Sequence, residues 1–185
     1  MFWLAPVGAI CCFLIYVSGI FPPGMNDLAL TEARVVTTTD PLTSRAMPTG
    51  RGPFLRITVS SSRNLVAMAQ NSQLNTYPMV VDCTDRDLTF YSWGPYHGGL
   101  HTAGSMDDRL NPRFATLRAE RADRFDYQIF VPMTGRLLSE ADVNRPMPAY
   151  VLARDPRTLC VRLGGGNMMG GFFRSNELRV PVPPQ

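Results

Sequence analysis

Phe125-Asp126-Tyr127-Gln128-Ile129-Phe130-Val131 decides the reading of the fold. Phe125, Tyr127, Ile129 and Val131 fall on one side of a period-two pattern, all four aromatic or β-branched, and Pro132 closes the run. A strand with that much apolar surface on one face must bury it against a second layer. Further out, Leu55, Ile57 and Val59 alternate with Arg56 and Thr58 in the same way, so an ordered domain is expected to begin near Phe54. Met79-Val80-Val81 and Leu88 to Trp93 read as two β-rich runs of a hairpin, the second ended by Gly94-Pro95. Ala149 to Ala153, Leu159 to Leu163 and Leu178 to Val182 complete the list. About seven or eight strands with turn residues between them predict an antiparallel, mainly all-β domain over 54–185, a sandwich or small barrel.

Helical signals are short. Asn64 can cap a helix from Leu65 to Gln70 in which Leu65, Met68 and Ala69 share a face, and Ser139 to Val143 suits one further turn. Phe114 to Asp123 is read as an exposed edge strand, although Phe114, Leu117 and Arg121 also have helical spacing. Tyr96 to Pro112 has few aliphatics and reads as a long loop.

The N-terminus differs in kind from the rest. Phe2 to Phe21 contains no charged residue, and twenty apolar residues in helical form span about 30 Å of hydrocarbon. Pro22-Pro23-Gly24 stops the run. Residues 1–23 are therefore expected to be a hydrophobic helix acting as a signal anchor, or as a signal peptide cleaved near Val17-Ser18-Gly19. Ile10 ahead of Cys11 does not suit a lipobox. Residues 24–53, rich in Thr, Pro, Gly and Ser without a sustained period, read as a flexible linker.

Cys83 and Cys160 each belong to an apolar run that reads as a strand, and one disulfide is the natural pairing in an oxidising compartment. Two unpaired buried thiols are the alternative if the domain is cytosolic. No Asn-x-Ser/Thr sequon occurs, which disfavours a glycosylated ectodomain. An inner-membrane tether with the domain facing the periplasm, or release to the periplasm after cleavage, fits these features together. All eighteen basic residues are Arg, spread among fifteen carboxylates for a net charge of +3, so no basic stripe marks a nucleic-acid surface.

Sites are harder to place. His97 and His101, four apart with Gly98-Gly99 between them and Asp107 and Asp108 nearby, are the one set of side chains resembling metal ligands. Ser92 or Ser105 beside these histidines and Asp107 could assemble a triad, but no GxSxG elbow is present. Ten Met residues follow no copper-binding spacing, and no motif asks for a cofactor. LGGGNMMGGFFRSN lacks the GK[ST] of a phosphate loop and reads as a flexible hairpin connection whose glycines permit positive φ; its Met168, Met169 and Phe172 are candidates to meet a partner. Trp93 and Tyr96, with Tyr91, form an aromatic cluster of the kind found at binding surfaces. The expectation is thus a non-enzymatic, membrane-tethered module that binds a protein, as an envelope-complex subunit or a toxin-neutralising binder. The alternative is a metal- or ligand-binding enzyme or carrier using the His97/His101 loop.

Overall fold

The computed structural model describes residues 24–37, 52–104, 106–137, 148–155, 157–168 and 170–183. The apolar run at 2–21, the helical turn expected at 139–143, Ser105 and Met169 lie outside them. In chain order the strands are β1 (Ala29–Val36), β2 (Phe54–Ser61), β3 (Asn75–Asp82), β4 (Trp93–His97), β5 (Leu100–His101), β6 (Phe125–Pro132), β7 (Thr134–Arg136), β8 (Ala149–Val151), β9 (Thr158–Gly166), β10 (Phe172–Arg174) and β11 (Leu178–Pro181). The helices are α1 (Leu65–Asn71), α2 (Met106–Arg109) and α3 (Pro112–Ala119).

The protein is mainly antiparallel β, in several sheets that do not close into a barrel. The first sheet runs β1-β2-β6-β4-β5, with Leu55 opposite Val131, Ile57 opposite Ile129 and Val59 opposite Tyr127. In the second, β9 lies between β3 on one side and β10 and β11 on the other. β7 and β8 form a small ribbon. The two larger sheets pack as a sandwich: Leu55, Ile57, Val59, Tyr127, Ile129 and Val131 share one buried core with Val80, Leu159, Val161, Leu163 and Val180. This is the face that the alternation in 125–131 and 55–59 demands, since a one-residue slip would turn every one of these side chains to solvent.

Asn64 caps α1 as expected, its side chain accepting a bond from the Ala67 amide at 3.0 Å. A second polar anchor holds the helix start to the sheet. The Tyr127 hydroxyl accepts from the Leu65 amide at 2.9 Å and donates to the Arg63 carbonyl oxygen. Burial pushes that hydroxyl's pKa up, so it remains a donor.

Four expectations are corrected. Part of the segment read as linker, Ala29–Val36, is the edge strand β1. It is held by backbone pairing to β2 and by a 2.8 Å ion pair between Glu32 and Arg56, with little apolar burial to mark it in the sequence. Just before it, Asp27 accepts bonds from the Ser61 hydroxyl and the Ser62 amide, both at 2.6 Å. Desolvation opposes the charged carboxylate, but these hydrogen bonds and the Arg124 charge outweigh it and hold Asp27 at about 2.

Phe114 to Asp123 is not an edge strand: Asn111 accepts from the Arg113 amide at 3.0 Å, Pro112 starts the first turn, and helix α3 follows. Gly94-Pro95 does not end a strand but lies inside β4, at an irregularity in its pairing with β6. Gly94 has φ +113°, and a Cβ there would lie 2.6 Å from the Gln128 carbonyl oxygen. The stretch from Tyr96 to Pro112 therefore holds the end of β4, β5 and α2 rather than one long loop. Of the second hairpin run, Leu88 to Phe90 does meet β3, through the antiparallel Val81–Thr89 bridge, the Asp82 amide donating to the Leu88 carbonyl at 3.0 Å and the Phe90 amide donating to the Val80 carbonyl at 2.8 Å, while Trp93 belongs to β4 and pairs with Phe130.

Candidate functional site

The histidines are the first side chains to weigh. His97 is buried in β4, with Nδ1 2.8 Å from the Asp126 carbonyl oxygen and Nε2 2.9 Å from a Glu120 carboxylate oxygen. A carbonyl can only accept, so Nδ1 donates. Glu120 ends α3, and the Asn64 side chain donates to the Leu117 and Glu120 carbonyl oxygens at 2.9 and 3.2 Å. His97, Glu120 and Asn64 together pin the end of α3 to the first sheet and to the start of α1.

His101 Nε2 donates to the Gly94 carbonyl oxygen at 3.0 Å, while its Nδ1 accepts from the Ala103 amide at 3.3 Å. Both nitrogens of the neutral ring are thereby used. Burial lowers its pKa, more than the Gly94 bond and the Asp108 charge raise it, which favours that neutral form. The two rings thus close the β4–β5 hairpin and dock α3, and none of these four bonds goes to a serine. Asp107 lies in α2. Among the described residues no group of three or more His, Cys, Asp or Glu side chains is placed to hold a metal ion.

The aromatic cluster divides into an interior and a rim. Tyr96 is fully buried, and burial together with the Asp108 charge pushes its hydroxyl pKa up. It packs edge-on to Phe130, which meets Phe54, which meets Trp93 at 5.8 Å, a tier covering the outer face of the first sheet. At the end of the tier Tyr91, 50% exposed, stands edge-on to Trp93 at 4.7 Å. Trp93 and Tyr96 were both expected at a contact surface; the structure sets Trp93 at the rim, buries Tyr96 beneath it, and makes Tyr91 the exposed member.

The glycine-rich segment is more ordered than a flexible connection. Gly164, Gly165 and Gly166 are the last residues of β9, paired with β3 on one side and β10 on the other. Their use is close packing: a Cβ on Gly165 would sit 2.4 Å from the Phe173 ring, and the Tyr77 ring leans over Gly164 at 3.4 Å from where its Cβ would be. The turn beyond is tied by Asn167, whose amide bonds the Gly171 carbonyl at 2.9 Å and whose side chain accepts from the Gly171 amide at 2.8 Å. Only Gly170, at φ +81°, uses the positive φ expected of this segment. Asn167 also donates to the Ser72 carbonyl at 3.0 Å, fixing the tip to the end of α1. On this fixed tip Met168 is fully exposed and Phe172 is 69% exposed. Tyr77, half-exposed, and Arg174 flank Gly164 on the same outward face, because both pair with it. Tyr77 was missed in the sequence, though NTYPMV alternates Asn75, Tyr77 and Met79 with Thr76, Pro78 and Val80.

The expected disulfide is present: Cys83 and Cys160 are bonded, with Cα atoms 5.0 Å apart. Beside it is a small cleft of about 160 Å³ crossed by Glu177, which bridges Arg86 and Arg162 at 2.9 and 2.8 Å. A wider cleft of about 480 Å³ opens near Gln70, Arg109 and Arg118, where Gln70 and Arg109 both donate to the Ala103 carbonyl.

Comparison with known proteins gives no matching family model, curated protein or solved structure. The site's own chemistry must therefore carry the functional reading. Among the described residues, whose exposed large apolar side chains also include Leu30 and Leu110, two features set apolar groups close together: the Tyr91–Trp93 rim and the Met168–Phe172 tip. They lie at opposite ends of β3. The tip adjoins Asn75, which pairs with Gly166, while Val81, six residues on, bridges Thr89 just before Tyr91. At about 3.3 Å per residue that separates them by roughly 20 Å along the strand.

Proposed function

We propose that this chain is an exported, membrane-tethered binding module of the cell envelope, with no catalytic step of its own, and that it meets a protein partner through the Tyr91–Trp93 rim. The observation that carries this reading is the stack of Tyr91 on Trp93 on Phe54. An aromatic held edge-on by a partly buried neighbour offers contact area at little entropic cost, the usual make-up of an interface hot spot. The uncharged run Phe2 to Phe21 supplies the tether. Among the described residues no helix is long and apolar enough to cross a membrane. The Cys83–Cys160 bond and the missing sequons support a periplasmic face at the inner membrane. An envelope-complex subunit and a toxin-neutralising binder both use a surface of this kind.

The test is the size of the detergent-extracted full-length protein on a native gel or by light scattering, for wild type and for Tyr91→Ala. The wild type is expected in a species larger than its own mass plus detergent. Tyr91→Ala should run at its own mass with a melting temperature close to wild type, because an exposed side chain changes stability by about 0.5 kcal/mol or less. A wild-type protein already at its own mass, or an unchanged complex in the variant, contradicts the proposal.

A further inference from the structure

The geometry points to the Gly166–Phe172 tip as a membrane-contact element, seated in the headgroup region of a phospholipid bilayer beside the tether. This rests on the tether proposed above and adds a lipid partner on a different surface. Met25 pairs with Ser175 in a parallel bridge, reinforced by the Asn176 amide donating to the Met25 carbonyl at 3.0 Å. In a parallel bridge the preceding residues lie side by side, so Gly24 is on the Arg174 and Phe172 side of Ser175. The chain thus enters the fold from the side of the tip. Pro22, Pro23 and Gly24 alone separate Phe21 from Met25, and four residue steps reach at most about 14 Å. A run ending at Phe21 in the bilayer therefore holds the bridge close to the membrane surface, with Phe172 only three residues from Ser175 on the near side.

The tip has the chemistry that such a position requires. Met168 and Phe172 project their apolar side chains into solvent from a turn fixed by Asn167. Tyr77 and Arg174 stand behind them on the same face, an amphipathic ring and a cation of the kinds that settle at the membrane interface. Acidic residues are missing from both stretches that build this end: none occurs in 65–81 or 158–176, although the chain has fifteen. The carboxylates two residues beyond each member of the Met25–Ser175 bridge are engaged, Asp27 by Ser61 and Ser62 and Glu177 by Arg86 and Arg162. A surface cleared of negative charge suits an anionic leaflet.

The experiment uses the full-length chain reconstituted in phosphatidylcholine vesicles with and without phosphatidylglycerol. Phe172→Trp adds a reporter at an exposed position, read as emission above wild type, with acyl chains brominated near the headgroup as quencher. The added emission should be blue-shifted and mostly quenched. Arg174→Glu in the same background should weaken quenching severalfold in the phosphatidylglycerol vesicles, since each basic residue near an anionic surface changes partitioning by about fivefold, and less in phosphatidylcholine alone. Retention of the protein through alkaline carbonate extraction reads the tether separately. Retained protein with an unquenched reporter overturns the tip contact and leaves the tether standing, the tip then facing solvent or a protein. Protein stripped by carbonate contradicts the tether; a reporter quenched at neutral pH in that case still supports the tip, and an unquenched one overturns it.

Discussion

Replacing Cys83 and Cys160 together by alanine should lower the unfolding free energy by about 4 kcal/mol, or roughly 10–15 °C in melting temperature for a domain of this size. The two residues are 77 apart in sequence, so their bond removes a large loop from the freedom of the unfolded chain. The neighbouring contacts do not use the sulfur atoms, so the double substitution is expected to leave them in place. The backbone amide of Cys83 donates to the Thr158 carbonyl at 3.1 Å, and Arg157 meets the Asp82 carboxylate at 2.9 Å. Desolvation opposes ionisation of Asp82, but bonds from Thr84 and Arg157 outweigh it and keep its pKa below the usual carboxylate value, so it continues to anchor this end of β3. Denaturant unfolding of oxidised wild type against the double alanine variant measures the difference. A loss under about 1 kcal/mol would mean that the bond constrains an unfolded chain already compact without it.

The second large effect separates two adjacent phenylalanines. Phe173→Ala is expected to cost about 3–5 kcal/mol, whereas Phe172→Ala should fall within about 0.5 kcal/mol of wild type. Phe173 is 3% exposed and fills the space that Gly165 leaves open, so its removal opens a cavity in the shared core. Phe172, one position earlier on the same strand, points to the other face and is 69% exposed. Chemical denaturation of the two variants side by side checks the alternation of β10. Equal costs would place both rings in the core and remove the apolar tip.

Reading the sequence by apolar period worked where one face of a strand is buried under a second layer, as at 125–131 and 55–59, and where a local capping bond decides, as at Asn64. It failed where burial is not what holds the element. β1 owes its place to backbone pairing and the Glu32–Arg56 pair, and its side chains are mostly exposed or partly so. The end of β9 is glycine, a poor strand former in isolation, made into a strand by two neighbours that need the space. Helix α3 buries Phe114 and little else, so its apolar period is faint, and the Asn111-Pro112 start was the signal to follow. In β4 the Gly94-Pro95 pair reads as a terminator, but the strand accommodates it at an irregularity in pairing.

Candidate side chains followed the same division. The residue types at Met168 and Phe172 pointed to apolar side chains in a turn, and both are exposed; Trp93 is partly buried, with Tyr91 exposed beside it. The two histidines drew attention by their rarity and spacing, but the His97 partners Asp126 and Glu120 come from segments that local spacing could not bring to it, and His101 spends both ring nitrogens on nearby backbone, at Gly94 and Ala103. Tyr77 was legible in the alternation of NTYPMV, but that Gly164 and Arg174 share its outward face follows from pairing across strands, which a local pattern does not contain.

A tethered chain whose domain lies in an oxidising compartment is the central claim. Intact mass and thiol labelling of the denatured protein, taken from membrane and soluble fractions without reductant, test it most directly. The predicted result is a full-length membrane species in which Cys11 and Cys12 label while Cys83 and Cys160 are blocked until reduced. A full-length soluble species with all four thiols reactive would contradict both the tether and the compartment.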